Sequence, residues 1–412
     1  MNKKKKVKIK YKNVLILIVA AIFIISIPKL FSKNSKDEVN LADEKVNFVG
    51  KNINELEEYA NKNKITLEKS FEYSKIYEKG YIIEVNENKK NMKVVISNGK
   101  LDENVYREKA VNELGRVPIM MYHGIIDTTD NSYTGGNVDK DGYNRTSNAF
   151  RADLEFFYNN GYRMVRLSDY VNGNINVELG FSPIILTFDD GNKNNFNVLG
   201  RNSDGSLKID PNCAVGILEE FKKSHPDMNV TATFFVMEGI FNQREYNKEI
   251  LEFLVNNGYD VGNHTTIHAN FTEINTTKSL EVVGRMYQKL EELIPNKYVK
   301  IIALPYGSPY KKTHENYPYI LKGNYNGFEY ETEAALRVGW EPELSPFNKD
   351  FDKTFLKRCR AYDNNGKEFD IEMVFKILEK TRYISDGDKE SIVIKKEDYS
   401  KLNNEYKNIV MY

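Results

Sequence analysis

Cysteine, tryptophan and histidine are scarce in this chain: its 412 residues include two, one and five of them, respectively. The two cysteines, Cys213 and Cys359, lie far apart in sequence, so no disulfide-stapled scaffold is indicated. Two unpaired buried thiols are the favoured interpretation, and a single disulfide is the alternative for an exported chain. Because histidines are so few, a cluster of them points to a site.

An excess of one charge sign is also missing, since 59 basic residues balance 59 acidic ones. Seven lysines precede Asn13, however, so the remainder has 52 basic against 59 acidic residues, a net charge of −7. A nucleic-acid-binding chain needs a basic surface, and this balance argues against one. The length predicts one large domain plus something smaller.

The N-terminus has a membrane-directed pattern. A basic tip, residues 1–13, precedes an uncharged apolar run at 14–27 that ends at Pro28 and Lys29. Positive charge tends to stay on the cytoplasmic side, so we predict a single-pass transmembrane signal anchor at 14–31 that holds the rest of the chain at the cell membrane on the extracellular side. The run is short for a span of about 20 residues, and a cleaved signal peptide is the alternative.

A small module follows a polar linker at 32–44. Residues 45–100 combine a Val49-Gly50 opening, apolar residues at helical spacing from Ile53, and extended runs at 81–85 and 92–99, which predict a helix packed on a small sheet. This order resembles a PASTA domain. The resemblance implies a small α+β, wall-facing module that either binds peptidoglycan or acts as a spacer.

After a helical connector at 101–116, the region 117–412 alternates strand-like and helical stretches. Strand-like apolar runs occur at 164–165, 184–188, 232–236, 259–262, 301–304 and 392–394, and amphipathic stretches at 150–159, 214–223, 248–256 and 279–293. This alternation predicts an α/β architecture with parallel strands. Reactive groups at the strand ends are typical of a barrel-type enzyme.

Two adjacent carboxylates, Asp189 and Asp190, directly follow the apolar run at 184–188. His264 and His268 form a His-x-x-x-His cluster elsewhere in the chain. One aspartate and two histidines can bind a divalent metal, by default zinc, and leave positions open for water and substrate. The neighbouring Asp189 can then accept a proton. For the carboxylate pair alone, a solvated turn is the alternative.

At these residues the sequence resembles the NodB-homology polysaccharide deacetylases of carbohydrate esterase family 4. The resemblance covers about 117–394 and rests on four blocks in order: Thr187-Phe188-Asp189-Asp190-Gly191, the strand at 230–236, the block at 263–268, and Leu304-Pro305-Tyr306-Gly307. It implies a distorted (β/α) barrel. It also implies that Asp189 is the catalytic base, that Asp190, His264 and His268 bind the metal, and that the Tyr306 amide helps to hold the oxyanion. Pro305 of the same loop is a candidate substrate-binding residue.

Two positions depart from this family pattern. An arginine common before the Pro-Tyr loop is replaced by Ala303, and a histidine common near the C-terminus is missing where Lys395 follows the last strand. His123 is our candidate for that general acid, because deacetylases that resemble the permuted poly-N-acetylglucosamine enzymes place it on an early strand. A core or edge histidine is the alternative for His123. Candidates for the lost arginine are Arg358, Arg360 and Arg337.

Trp340 either lines an acetyl pocket or is a core residue. The sequence thus predicts metal-dependent hydrolytic removal of N-acetyl groups from a cell-surface glycan, either peptidoglycan or poly-N-acetylglucosamine, with release of acetate. One alternative is an inactive wall-binding or sensing protein that retains the fold. The other is an O-acetyl esterase.

Overall fold

The structure, a computed structural model, describes residues 47–88, 91–130 and 133–412. The predicted basic tip, transmembrane anchor and linker therefore lie outside the described residues. No helix in the described ranges is both long and apolar enough to cross a membrane. The chain divides after Gly99 into two compact units.

The first unit is a helix on a three-stranded sheet, as predicted. It contains α1 (Ile53–Asn63), β1 (Thr66–Ser74), β2 (Ile82–Asn88) and β3 (Asn91–Lys100), in the sheet order β1-β3-β2. The helix begins where the Asn52 side chain accepts a hydrogen bond from the amide of Asn54. Leu56 packs into the core with Ile82 and Val94 from the sheet. Strand β1 escaped prediction because its residues are mostly exposed and lack an apolar pattern. The PASTA resemblance stays a prediction.

The second unit, Lys100–Tyr412, is an α/β domain. Its elements in chain order are α2 (Glu103–Lys109), β4 (Ile119–Tyr122), β5 (Ile125–Ile126), β6 (Arg145–Thr146), α3 (Ser147–Asn159), β7 (Tyr162–Met164), α4 (Leu167–Tyr170), β8 (Ser182–Phe188), β9 (Val198–Arg201), β10 (Leu207–Ile209), α5 (Ala214–Ser224), β11 (Thr233–Val236), α6 (Asn247–Asn256), β12 (Asp260–Asn263), α7 (Thr276–Leu293), β13 (Ile301–Ala303), α8 (Tyr317–Leu321), β14 (Lys322–Tyr325), β15 (Phe328–Glu331), β16 (Ala334–Leu336), β17 (Cys359–Arg360), α9 (Ile371–Thr381), β18 (Ile392–Ile394) and β19 (Ile409–Met411).

The main sheet of this unit is parallel, in the order β16-β13-β12-β11-β8-β4-β17, and β7 pairs with the first half of β8. The sheet curls so that its edges approach: Leu356, just before β17, forms a parallel bridge with Leu336 in β16. The result is a curled, incomplete barrel, which agrees with the predicted α/β class.

Both faces of the sheet are buried, which explains why its strands are recognisable as continuous apolar runs. In β8, Ile184, Leu186 and Phe188 face the core formed with the outer helices, whereas Ile185 belongs to the second core cluster inside the curl. Side chains alternate along a strand, so Asp189 falls on the same inner face as Ile185. This alternation directs the carboxylate towards the interior of the curled sheet.

Residues 101–116, predicted as a connector, lie within the second unit. The buried carboxylate of Glu113 accepts hydrogen bonds from the Tyr383 hydroxyl at 2.8 Å and from the Val393 amide at 2.7 Å. Strand β18 was predicted together with the strands of the main sheet. It pairs with β19 in a separate two-stranded parallel sheet.

Candidate active site

Three side chains converge at the carboxyl edge of the sheet: Asp190 after β8, and His264 and His268 after β12. Their ligand atoms all lie within 4.8 Å of one another. Oδ1 of Asp190 is 3.2 Å from Nε2 of His264 and 3.5 Å from Nε2 of His268. Asp190 and His268 both have positive φ, 72° and 52°, so each turns sharply out of its strand or loop. The structure thus brings together the predicted ligand set.

The surroundings of His264 fit a divalent ion. Its Nδ1 lies 2.8 Å from the carbonyl oxygen of Ala303, which fixes the ring and leaves Nε2 directed at Asp190. Nε2 is buried and makes no aligned hydrogen bond. Such an orphaned nitrogen is costly unless a cation occupies the centre. On the other side, the Asn192 amide donates to Oδ2 of Asp190 at 3.3 Å.

Asp189 is held by Arg358, the residue directly before the edge strand β17. The guanidinium donates two hydrogen bonds of 2.7 Å, one to each carboxylate oxygen, and both side chains are buried. Burial alone would raise the pKa of Asp189, but the charges of Arg358 and His264 outweigh it and hold that pKa well below its usual range. Arg358, one of the three candidate arginines, therefore supplies a positive charge directly to the Asp189 carboxylate.

His123 directly follows β4, which lies beside β8 in the sheet. Its Nε2 is 3.9 Å from Oδ2 of Asp189, and its ring packs edge-on against Tyr143 with centroids 5.2 Å apart. Burial lowers the pKa of His123, while the carboxylates of Asp189 and Asp190 act in the opposite direction. An imidazole therefore lies at the site, whereas Lys395 follows β18 outside the main sheet.

Two residues of the Pro-Tyr loop flank the cluster. Pro305 is buried and its carbonyl accepts a hydrogen bond from the Ser308 hydroxyl at 2.9 Å, which stabilises the turn. Tyr306 has a φ of 59°, is exposed, and packs its ring edge-on to His268 with centroids 4.5 Å apart. This loop therefore borders the His268 side of the site.

Trp340 is 46% exposed, so the alternative of a core tryptophan is wrong. The guanidinium carbon of Arg360 lies 4.0 Å from its ring centroid. The cysteines agree with the favoured interpretation, because Cys213 and Cys359 are both buried and unpaired.

Asn195 is a site residue that sequence reasoning missed. It is fully buried, its side-chain amide donates to the carbonyl of His123, and its side-chain oxygen accepts from the backbone N–H of Asn192 at 3.1 Å. Asn195 thereby ties the strand end that carries His123 to the loop that carries Asp190. The available signal was the polar run Asn192-x-x-Asn195 directly after the carboxylate pair.

An α/β domain that collects an aspartate and two histidines at the carboxyl edge of a parallel sheet has the ligand set of a metal-binding hydrolase. The family model described as polysaccharide deacetylase matches residues 176–319, the segment that carries Asp189, Asp190, His264, His268 and Tyr306. The chain therefore resembles the polysaccharide deacetylases over this segment, which confirms the resemblance predicted from the sequence. His123 and Arg358 lie outside it.

Two solved structures are similar to part of the chain. The deacetylase PplD of Streptococcus pyogenes, solved in complex with acetate, is 17% identical, with a TM-score of 0.44 over 60% of this chain and 93% of that one. A de-N-acetylase from Aggregatibacter actinomycetemcomitans is 13% identical, with a TM-score of 0.39 over 62% of this chain and 98% of that one. No curated protein matches the sequence.

Proposed function

We propose that this protein is a metal-dependent N-deacetylase that hydrolyses the acetamide of N-acetylated sugar residues in a cell-surface glycan. The observation that most directly supports this proposal is the convergence of Asp190, His264 and His268 beside the Asp189 carboxylate, which Arg358 holds in its ionised form. The family match over 176–319 supports a hydrolase that acts on amide bonds.

In this proposal, Asp190, His264 and His268 hold a divalent ion, for which zinc suits the one-oxygen, two-nitrogen donor set. Such an ion polarises the acetyl carbonyl and acidifies a water molecule. Asp189 accepts the proton of the attacking water as a C–O bond forms. The backbone amide of Tyr306, in the loop beside His268, is the proposed hydrogen-bond donor to the developing oxyanion. His123 donates a proton to the sugar nitrogen as the C–N bond breaks, and acetate and a free amine leave.

The ion pair between Asp189 and Arg358 favours an active enzyme over the alternative, an inactive wall-binding protein. The loss of an arginine at Ala303 was the main reason to suspect inactivity, and the bidentate contact from Arg358 supplies the same charge to the same carboxylate. His123 likewise supports an amide substrate over an ester, because an amine leaving group needs protonation more than an alcohol does.

We further propose that residues 14–31 anchor the protein in the cell membrane with this site outside, and that the module at 45–100 faces the cell wall. Within that setting the substrate is peptidoglycan or poly-N-acetylglucosamine. The basic N-terminal tip and the order of the module's elements support this arrangement.

The deciding experiment measures acetate release by the full-length protein from N-acetylglucosamine oligomers and from purified cell wall, with added zinc and with chelator. Chelation and Asp189→Asn should each abolish release, whereas Asp204→Asn, in an exposed turn, should leave it unchanged. Binding to cell wall without acetate release from either substrate would instead identify a wall-binding protein.

A further inference from the structure

A second arginine, close to Arg358 in sequence, lies on the rim of the site. Arg358 directly precedes β17 and Arg360 is its last residue, so by alternation along the extended chain their side chains lie on the same face. Arg358 is neutralised by Asp189, whereas Arg360 lies one step nearer the carboxyl edge at which His123 and Asp190 are found. The two arginines therefore occupy an inner and an outer position on the same wall of the site.

Two aromatic rings hold the Arg360 guanidinium in place. Its central carbon is 4.0 Å from the centroid of Trp340 and 5.3 Å from that of Tyr143. Within the described parts of the chain, no hydrogen bond or ion pair engages the guanidinium, and its Nε is buried without a partner. A stacked, unpaired guanidinium keeps its planar set of donors free and oriented.

The Tyr143 ring connects this cation to the reaction centre. The ring packs against His123 on one side, with centroids 5.2 Å apart, and against Arg360 on the other. Trp340 and Tyr143 are both nearly half exposed, so part of each ring remains open to a sugar chain. A substituent on the acetylated sugar, or on its immediate neighbour, would therefore lie close to the guanidinium.

We propose that Arg360, stacked between Tyr143 and Trp340, forms an anion-binding subsite, and that the natural glycan carries a carboxylate or phosphate on the acetylated sugar or its neighbour. This proposal rests on the deacetylase function proposed above. A guanidinium binds either group through two parallel N–H donors. The subsite would thus favour anionic glycans over neutral N-acetylglucosamine polymers.

The test compares four matched oligosaccharides with the full-length protein. One is a neutral N-acetylglucosamine oligomer, and a second alternates N-acetylglucosamine with N-acetylmuramic acid, whose lactyl group bears a carboxylate. The third is this second oligomer with the carboxylate converted to a carboxamide, and the fourth is the neutral oligomer bearing a phosphodiester. Acetate release gives kcat/KM for each, and binding is measured by calorimetry in parallel.

For the wild-type protein, kcat/KM should be higher for at least one anionic oligomer than for its neutral counterpart. The anionic oligomer with the higher kcat/KM shows whether the subsite binds a carboxylate or a phosphate. Arg360→Gln should lower kcat/KM on that substrate by roughly 10- to 100-fold, mainly through KM, and change the neutral substrates by less than about 3-fold. Arg360→Lys should recover part of the loss. Arg201→Gln is the matched control, because Arg201 also stacks on a ring, Tyr246, but is ion-paired with Glu249.

The outcomes separate the two proposals. Equal rates on charged and neutral oligomers, with Arg360→Gln unchanged on all of them, would overturn the anion subsite and leave the deacetylase function standing. Arg360-dependent binding of an anionic oligomer without acetate release from any of the four would support the subsite and reject the activity. Thermal melting curves confirm that each variant is folded.

Discussion

Arg358 donates two parallel hydrogen bonds to the carboxylate of Asp189, a residue 169 positions earlier in the chain. Both side chains are buried, so each charge depends on the other for compensation. A buried pair of this kind fixes an ionised carboxylate at a defined place. This arrangement leads to the first prediction.

Arg358→Gln should destabilise the protein by about 3–5 kcal/mol, because it leaves the Asp189 charge buried and unpaired. Activity should fall at least about 100-fold as the proposed base loses its orientation. The double variant with Asp189→Asn should regain much of the stability and none of the activity. Urea unfolding and acetate release measure the two effects. The surface pair of Arg201 provides the control: Arg201→Gln should cost less than about 1 kcal/mol. An Arg358→Gln variant as stable as the wild type would contradict the prediction.

His123→Ala should impair amide hydrolysis far more than ester hydrolysis. Protonation of a departing amine by a general acid contributes about 10²- to 10⁴-fold, and an alkoxide leaving group needs less help. Rates are compared on an N-acetyl sugar and its O-acetyl counterpart, with His225→Ala, outside the site, as the control. An equal loss on both substrates would assign His123 a role other than proton donation to the leaving group.

The chain should bind one divalent ion at Asp190, His264 and His268. His264→Ala should abolish binding, and Asn192→Ala, which removes a hydrogen bond to a ligand carboxylate, should weaken it by roughly 10- to 100-fold. Competition with a coloured chelator measures both, and His314→Ala serves as a histidine control. Retention of the ion by His264→Ala would place the metal elsewhere.

The free energy of unfolding should depend on pH through the protonation of the Glu113 carboxyl. Burial raises the pKa of this carboxyl, and the nearby Asp386 raises it further, against the opposing hydrogen bonds from Val393 and Tyr383. The folded chain thus holds the proton more tightly than the unfolded chain does. The stability from this proton is complete below the ordinary glutamate pKa of about 4.3 and is lost as the pH rises towards the folded pKa.

The melting temperature of the wild type minus that of Glu113→Gln should therefore decrease as the pH is raised from 4 towards 8. Glu405→Gln, at an exposed position, should show no comparable trend. If the melting temperatures of the wild type and Glu113→Gln change with pH in parallel, the Glu113 proton does not contribute to stability.

The central strands were predictable because both of their faces are buried, which leaves uninterrupted apolar runs such as those of β8 and β11. Strand β17 could not be predicted, because it consists of only two residues, Cys359 and Arg360, and two residues are too few to show a periodic pattern. It exists because Cys359 pairs with Met120 in β4, a contact between distant parts of the chain that no local pattern encodes.

The same reason limits what the sequence reveals about the site. The ligand set Asp190, His264 and His268 follows from residue chemistry at strand ends. The choice among Arg337, Arg358 and Arg360 does not, because it depends on the register of β17 and on the closure of the curl. Alternation places Arg358 and Arg360 on one face, and their order along the chain then distinguishes them: Arg358, directly before β17, contacts the Asp189 carboxylate, and Arg360 lies nearer the rim.

The late position of Arg358 also affects how the protein is made. During synthesis the ribosome delivers Asp189, Asp190 and both histidines of the cluster well before the arginine emerges. A nascent chain thus carries the three side chains of the candidate metal site next to an Asp189 carboxylate that still lacks its arginine partner. Closure of the curl by β17 brings Arg358 to Asp189, so a chain truncated before Arg358 would leave this buried carboxylate without its ion-pair partner wherever it is synthesised.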